Sequence, residues 1–235
     1  MTINQVPELL VLVRHGESLL QTAKNGEPYL PNEAAAEIIR ARPDHQIPIT
    51  ELGKWQARRT GEWLRQKFGI FDAVYHSGYT RTIETASALV HAYPPEELTQ
   101  MRFHESYLIR EREIGYTYRM TAEEVAQYFP WYAGHFATFG EFYSRPPGGQ
   151  SQADVCDQAG RFLAELNRTQ AGKKVLLVTH GGTIRALRFN LEGWTASDYS
   201  LSLNDRPKNA GVTVYQANAD GTKLKLERSN FVPCA

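Results

Sequence analysis

Dense apolar runs alternate with helically spaced ones along this chain. Leu9-Leu10-Val11-Leu12-Val13 is the first dense run, of a length that suits a strand buried on both faces. It stops abruptly at Arg14-His15-Gly16. Lys174 to Thr179 repeats the theme with Val175-Leu176-Leu177-Val178 and ends at His180-Gly181-Gly182. A shorter strand is predicted over Ala73 to His76, closed by a turn at Ser77-Gly78. Residues 101 to 109 read as extended. Gly211 to Ala217 and Lys223 to Ser229 read as a closing hairpin around Asp220-Gly221.

Helical patterns fill the intervals. Thr50 caps a helix running to about Phe68, with Leu52, Trp55, Leu64 and Phe68 as the candidates to face the core. A second helix carries Thr80-Arg81-Thr82 in its first turn and reaches about Ala92. Thr121 with Glu124 forms a capping box for a helix that stops before Pro130. Ser151 with Asp154 opens another, in which Val155, Ala159, Phe162 and Leu166 recur on one face; Ile184, Leu187 and Leu191 do the same after His180. Residues 19 to 47 form a proline-broken polar excursion with one short helix from Asn32 to Ala41. Strands alternating with helices predict a mostly parallel α/β sheet covered on both faces, with the final hairpin as an antiparallel edge.

Composition narrows the class. The length of 235 residues fits a single domain spanning 1–235. Lys+Arg and Asp+Glu both total 26, so any cationic site is local and a polyanion-binding surface is not expected. Cys156 and Cys234 form no metal-type cluster, the N-terminus lacks signal-peptide character, and no run suits a membrane span. A cytoplasmic protein is the expectation. Residues 116–147 are dense in aromatics, from Tyr116 to Tyr143, and contain no lysine. They read as a cap segment, whose aromatics can equally fill a satellite core.

Parallel strands place their carboxyl ends on one rim, so His15 and His180 can converge although far apart in sequence. Arg14 comes from the same rim, and Arg81 from a helix start beside the strand ending at His76. Arg14-His15 taken alone is equally a polar strand end. Together, these cations, imidazoles and helix starts suit a phosphoryl group. A neutral imidazole can attack phosphorus, and a carboxylic acid can protonate the leaving oxygen. Glu111, after the extended segment and before Gly115, is the candidate acid; Glu105 and Glu113 compete with it. His76, His104 and His135 read as structural or surface residues.

At this level of detail the chain resembles the histidine phosphatase superfamily, also called the phosphoglycerate-mutase-like family. The matching pieces are Arg14 to Ser18, Pro48 to Gly53 with Gln56-Ala57, Val74 to Ser77 leading to Arg81 to Ala86, Ile109 to Gly115, Pro146 to Gly149 with Asp154-Val155, and Val178 to Gly182 with Ile184-Arg185. They occur in the family's order. The resemblance implies a three-layer α/β/α sandwich with a variable cap and metal-independent catalysis without a cofactor. It casts His15 as nucleophile and Glu111 as proton donor, the spacing of Glu111 to Gly115 matching the family. Arg14, Arg81 and His180 become the phosphate pocket, joined by the Gly181 backbone. Gln21 stands where the family often has asparagine near the phosphate; Gly78 and Gln150 replace a common proline and glutamate.

The leading expectation is a phosphatase acting on small phosphomonoesters, binding neither nucleic acid nor membrane, with a homodimer left open. Phosphoglycerate mutase is the alternative. It calls for more cations in the cap, where only Arg119 and Arg145 are found. A non-catalytic phospho-ligand module is the third reading, against which all five central residues are present.

Overall fold

The computed structural model describes residues 5–40 and 42–233, so Cys234 and the last residue of the Asn32–Ala41 helix prediction lie outside the described residues. Six strands form one sheet: β1 (Leu9–Arg14), β2 (Ala73–His76), β3 (Arg102–Glu105), β4 (Lys174–Thr179), β5 (Val212–Ala217) and β6 (Leu224–Phe231), in the order β3-β2-β4-β1-β5-β6. β1, β2, β3 and β4 run parallel; β5 and β6 are antiparallel to their neighbours. The mixed α/β sheet with an antiparallel edge matches the sequence expectation.

Alternation along β1 explains the layers. Leu10 and Leu12 face one side, with Val175 and Leu177, and pack against residues of helix α8 (Gln152–Gln170) and α9 (Gly181–Glu192). Leu9, Val11 and Val13 face the other, against α3 (Glu51–Phe68) and α4 (Thr80–Val90). Both faces are thus dry, which is why the strands read as continuous apolar runs rather than alternating ones.

The expected core face of α3 holds at Leu64 and Phe68 and is corrected at Leu52 and Trp55. Leu52 and Trp55 are half exposed, whereas Gly53, Ala57, Thr60, Gly61 and Leu64 are buried. The cause is close approach: a Cβ on Gly61 would lie 2.0 Å from the Leu89 carbonyl oxygen of α4. Small residues therefore line the contact, and the large apolar ones are displaced to its flank.

The excursion after β1 is less polar than expected. It holds α1 (Leu19–Lys24), α2 (Glu33–Arg40) and a 3₁₀ turn at Asp44–Gln46. Ala23, Leu30, Ala35, Ala36, Ile39 and Ile47 give it a small core of its own. After α4 come the one-turn α5 (Pro95–Leu98), β3, and a 3₁₀ turn at Tyr107–Ile109, so residues 101–109 are extended only in their middle.

Residues 115–143 hold a 3₁₀ turn at Gly115–Arg119, α6 (Ala122–Tyr128) with the Thr121/Glu124 capping box, and α7 (Tyr132–Tyr143). The aromatics here do not form a satellite core. Tyr116, Tyr128, Trp131, Phe136, Phe139 and Tyr143 are exposed, and Phe142 alone among the α7 residues is buried. Phe142 docks on Phe189 of α9 and on Tyr199 of α10 (Ala196–Leu201). Among the described residues, no helix is long and apolar enough to cross a membrane.

Candidate active site

Strand register creates the site. Arg14 pairs with Thr179 across β1 and β4, so the residues that follow, His15 and His180, leave the sheet side by side. Their rings lie 5.3 Å apart, edge to face.

His15 is buried, and its Nδ1 lies 2.7 Å from the Gly16 carbonyl oxygen. A carbonyl only accepts, so Nδ1 carries the proton and Nε2 keeps its lone pair. Burial, then Arg81 and Arg14, hold this imidazole well below its ordinary pKa, so the neutral form prevails. Thr85 steadies the loop: its Oγ1 accepts from the Gly16 N–H at 3.0 Å and donates to the Arg81 carbonyl at 2.6 Å.

His180 is the N-cap residue of α9 and is fully buried. Arg81 Nε donates to its Nδ1 at 3.2 Å, which fixes the proton on Nε2. That Nε2 donates to Ser77 Oγ at 2.8 Å; Ser77 Oγ donates onward to Thr82 Oγ1 at 2.9 Å, and Thr82 Oγ1 to the Tyr79 carbonyl at 2.8 Å. Burial and the same arginines depress its pKa strongly too. Both ring nitrogens are therefore engaged by protein groups, and His180 orients Arg81.

Arg81 is buried against the Tyr79 ring at 4.5 Å. Arg14 gives Nη1 to the Pro207 carbonyl at 2.6 Å, while its buried Nε has no partner among the described residues. Gly181 lies beside that Nε, at the N-terminus of α9, where the first-turn N–H groups point outward as donors. Burial lowers the Arg14 pKa and Glu111 opposes the shift; the guanidinium stays cationic.

Glu111 is positioned by its neighbours rather than by a helix or strand. Thr179 Oγ1 donates to the Ile109 carbonyl and Thr183 Oγ1 to the Arg110 carbonyl, both at 2.6 Å. The Arg112 N–H donates to Glu111 Oε1 at 3.0 Å. A Cβ on Gly182 would come within 2.5 Å of the same oxygen, so glycine is what lets the carboxylate lie against α9. Glu105 instead lies against Gly78, and the Glu113 carbonyl is bonded to the Gln150 N–H; neither lines the cleft.

Arg14, His15, Arg81 and Glu111 line one cleft of about 620 Å³ together with Gln21. An adjoining cavity of about 370 Å³ shares Arg14 and Glu111 and adds Gly181, Gly182 and Arg185. Gln21 is held as a link: its Nε2 donates to Asn209 Oδ1 at 3.1 Å, and its Oε1 accepts from Asn209 Nδ2 at 2.9 Å. Asn209 Nδ2 also reaches the His15 carbonyl at 3.2 Å.

Sequence reasoning passed over Ser77, Thr85, Asn209 and Asp44, and the cleft-lining cations Lys24, Arg112 and Arg206. Ser77 and Asn209 had a usable signal, since each lies in a turn at a strand end on the active rim. The others become neighbours only through tertiary folding. Neither cap arginine lines the cleft: Arg145 pairs with Asp154 at 2.6 Å, and Arg119 Nη2 donates to the Arg42 carbonyl at 2.5 Å.

Known proteins resemble this chain in sequence and in fold. A 2,3-bisphosphoglycerate-dependent phosphoglycerate mutase of Methylobacterium radiotolerans is 30% identical over 226 residues, covering 91% of this chain and 92% of that one. The corresponding enzyme of Rhizobium etli is 28% identical, covering 90% and 91%. Among solved structures, the alpha-ribazole phosphatase of Shigella flexneri superposes with a TM-score of 0.72 at 20% identity, over 95% of this chain and 98% of that one. A mycobacterial glucosyl-3-phosphoglycerate phosphatase with inorganic phosphate gives 0.69 at 21%, over 97% and 99%. These two structures share the fold. Residues 10–230 match the family model of the histidine phosphatase superfamily, branch 1, and the chain belongs to that superfamily.

Proposed function

We propose that the protein is a metal-independent phosphatase of small phosphomonoesters. One observation carries the reading: His15, anchored through Nδ1 and with no partner at Nε2 among the described residues, lies in a cleft that also holds Arg14, Arg81 and Glu111, and its burial favours the neutral ring. Nε2 attacks phosphorus while the bond to the leaving oxygen breaks, and Glu111 supplies that oxygen with a proton. The two arginines stabilise the charge on the non-bridging oxygens. In the second half, the Glu111 carboxylate takes a proton from water as its oxygen attacks the phosphohistidine, releasing phosphate and restoring His15.

Phosphoglycerate mutase is kept as the second reading because Lys24, Arg112 and Arg206 bring cations to the cleft from outside the cap. They suit a carboxylate or second phosphate on the leaving group. Phosphate release from 4-nitrophenyl phosphate in the presence of chelator tests the first reading. The expected outcome is turnover in wild type and loss of at least about a hundredfold in His15→Ala. Strict metal dependence, or a near wild-type rate in His15→Ala, refutes the mechanism. Conversion of 3-phosphoglycerate to its 2-isomer faster than phosphate release selects the mutase.

A further inference from the structure

Asp44 occupies the face of Arg81 that a phosphoryl group needs. A guanidinium has five N–H donors in a fixed fork. Arg81 gives Nε to His180, and Nη1 to both the Asp44 carbonyl at 2.8 Å and Asp44 Oδ1 at 2.9 Å. Nη2 stands 3.5 Å from Asp44 Oδ2. The Nε and Nη1 donors are spent, so Arg81 cannot offer a phosphate the two-pronged contact of which arginine is capable.

One partner of this pair has room to leave. The Arg81 side chain is 3% exposed and Asp44 29%. Asp44 belongs to a single 3₁₀ turn without a buried residue, and its side chain lines the cleft with His15 and Arg14. Lys24 lines the same cleft and offers a released carboxylate a counter-charge; burial lowers its pKa, and the Asp44 charge opposes that shift.

We propose that Asp44 sets the affinity of the phosphate pocket: its carboxylate holds the fork of Arg81 before substrate arrives and exchanges with the phosphoryl group on binding. The inference rests on the phosphate-pocket reading given above. Each binding event then costs the Asp44 contact, and each release of phosphate regains it. The carboxylate thereby clears product from a pocket built to hold dianions.

Calorimetric titration with inorganic phosphate tests the exchange. Asp44→Asn keeps the shape and an acceptor oxygen but removes the charge, so it is the variant least disturbing to the fold; Asp44→Ala leaves the backbone acceptor alone. Phosphate is expected to bind about tenfold more tightly to Asp44→Asn, the size of one charged hydrogen bond. In an Arg81→Ala background the same substitution should give no gain. Equal or weaker binding by Asp44→Asn overturns the proposal and makes Asp44 a positioning partner of Arg81. A gain that persists without Arg81 overturns it too, since long-range repulsion then suffices. Phosphate binding to none of the proteins would bring down the pocket reading itself, and the proposal with it.

Discussion

At the scale of single residues, protonation state decides what each site group can do. His15 and His180 carry opposite tautomers, one pinned by a carbonyl acceptor and the other by an arginine donor. Ser77 is the residue that makes the second arrangement affordable, because its hydroxyl accepts the hydrogen bond from the Nε2–H of a fully buried ring. Ser77→Ala should leave the His180 Nε2–H without an acceptor and cost about 1–3 kcal/mol of stability. Urea unfolding reads that loss. Turnover of 4-nitrophenyl phosphate, on the proposed function, should fall on the order of tenfold with it, as Arg81 loses its anchored neighbour. Unchanged stability and rate would mean that His180 adopts the other tautomer without penalty.

Elements differ in how legible they were. β1 and β4 announce themselves because both faces are buried, and their terminal histidines and glycines were readable from the runs alone. Arg14, His15, Arg81, Glu111 and His180 were all named from sequence, and the fold now brings them around one site. In α3, Leu64 was read correctly, but Leu52 and Trp55 were misplaced because the rest of the buried stripe is glycine, alanine and threonine, which a hydrophobic pattern ranks below them. Asp44 was invisible for another reason: it sits in a turn between prolines with no periodicity, and its importance lies wholly in a contact with a distant helix. The Glu111 segment shows the same dependence. It has no ladder of its own and hangs from Thr179 and Thr183. Thr183→Val should keep the volume but release the Arg110 carbonyl. If Glu111 is the acid, activity on alkyl phosphates should drop on the order of tenfold and that on 4-nitrophenyl phosphate much less, because a good leaving group needs little protonation. Equal losses on both esters would remove Thr183 from that positioning role.

For the whole molecule, the two buried histidines link stability to pH. Burial depresses both pKa values in the folded state, whereas the unfolded chain takes up protons below about pH 6.5. Stability is therefore full above that value and falls as the pH drops towards the folded-state values. Each histidine contributes a slope of up to about 1.4 kcal/mol per pH unit. Urea midpoints measured from neutral pH down to about pH 5 check this; a flat profile would contradict it. The sheet order has a consequence in time as well as in space. β1 is flanked by β4 and β5, both encoded far downstream of it. Among the strands it is the first to leave the ribosome, yet it waits for both of its neighbours, and its long-range pairings make for slow closure. A nascent chain that already carries His15 thus holds an unassembled site, which closes only once β4 and β5 have been made and paired with β1.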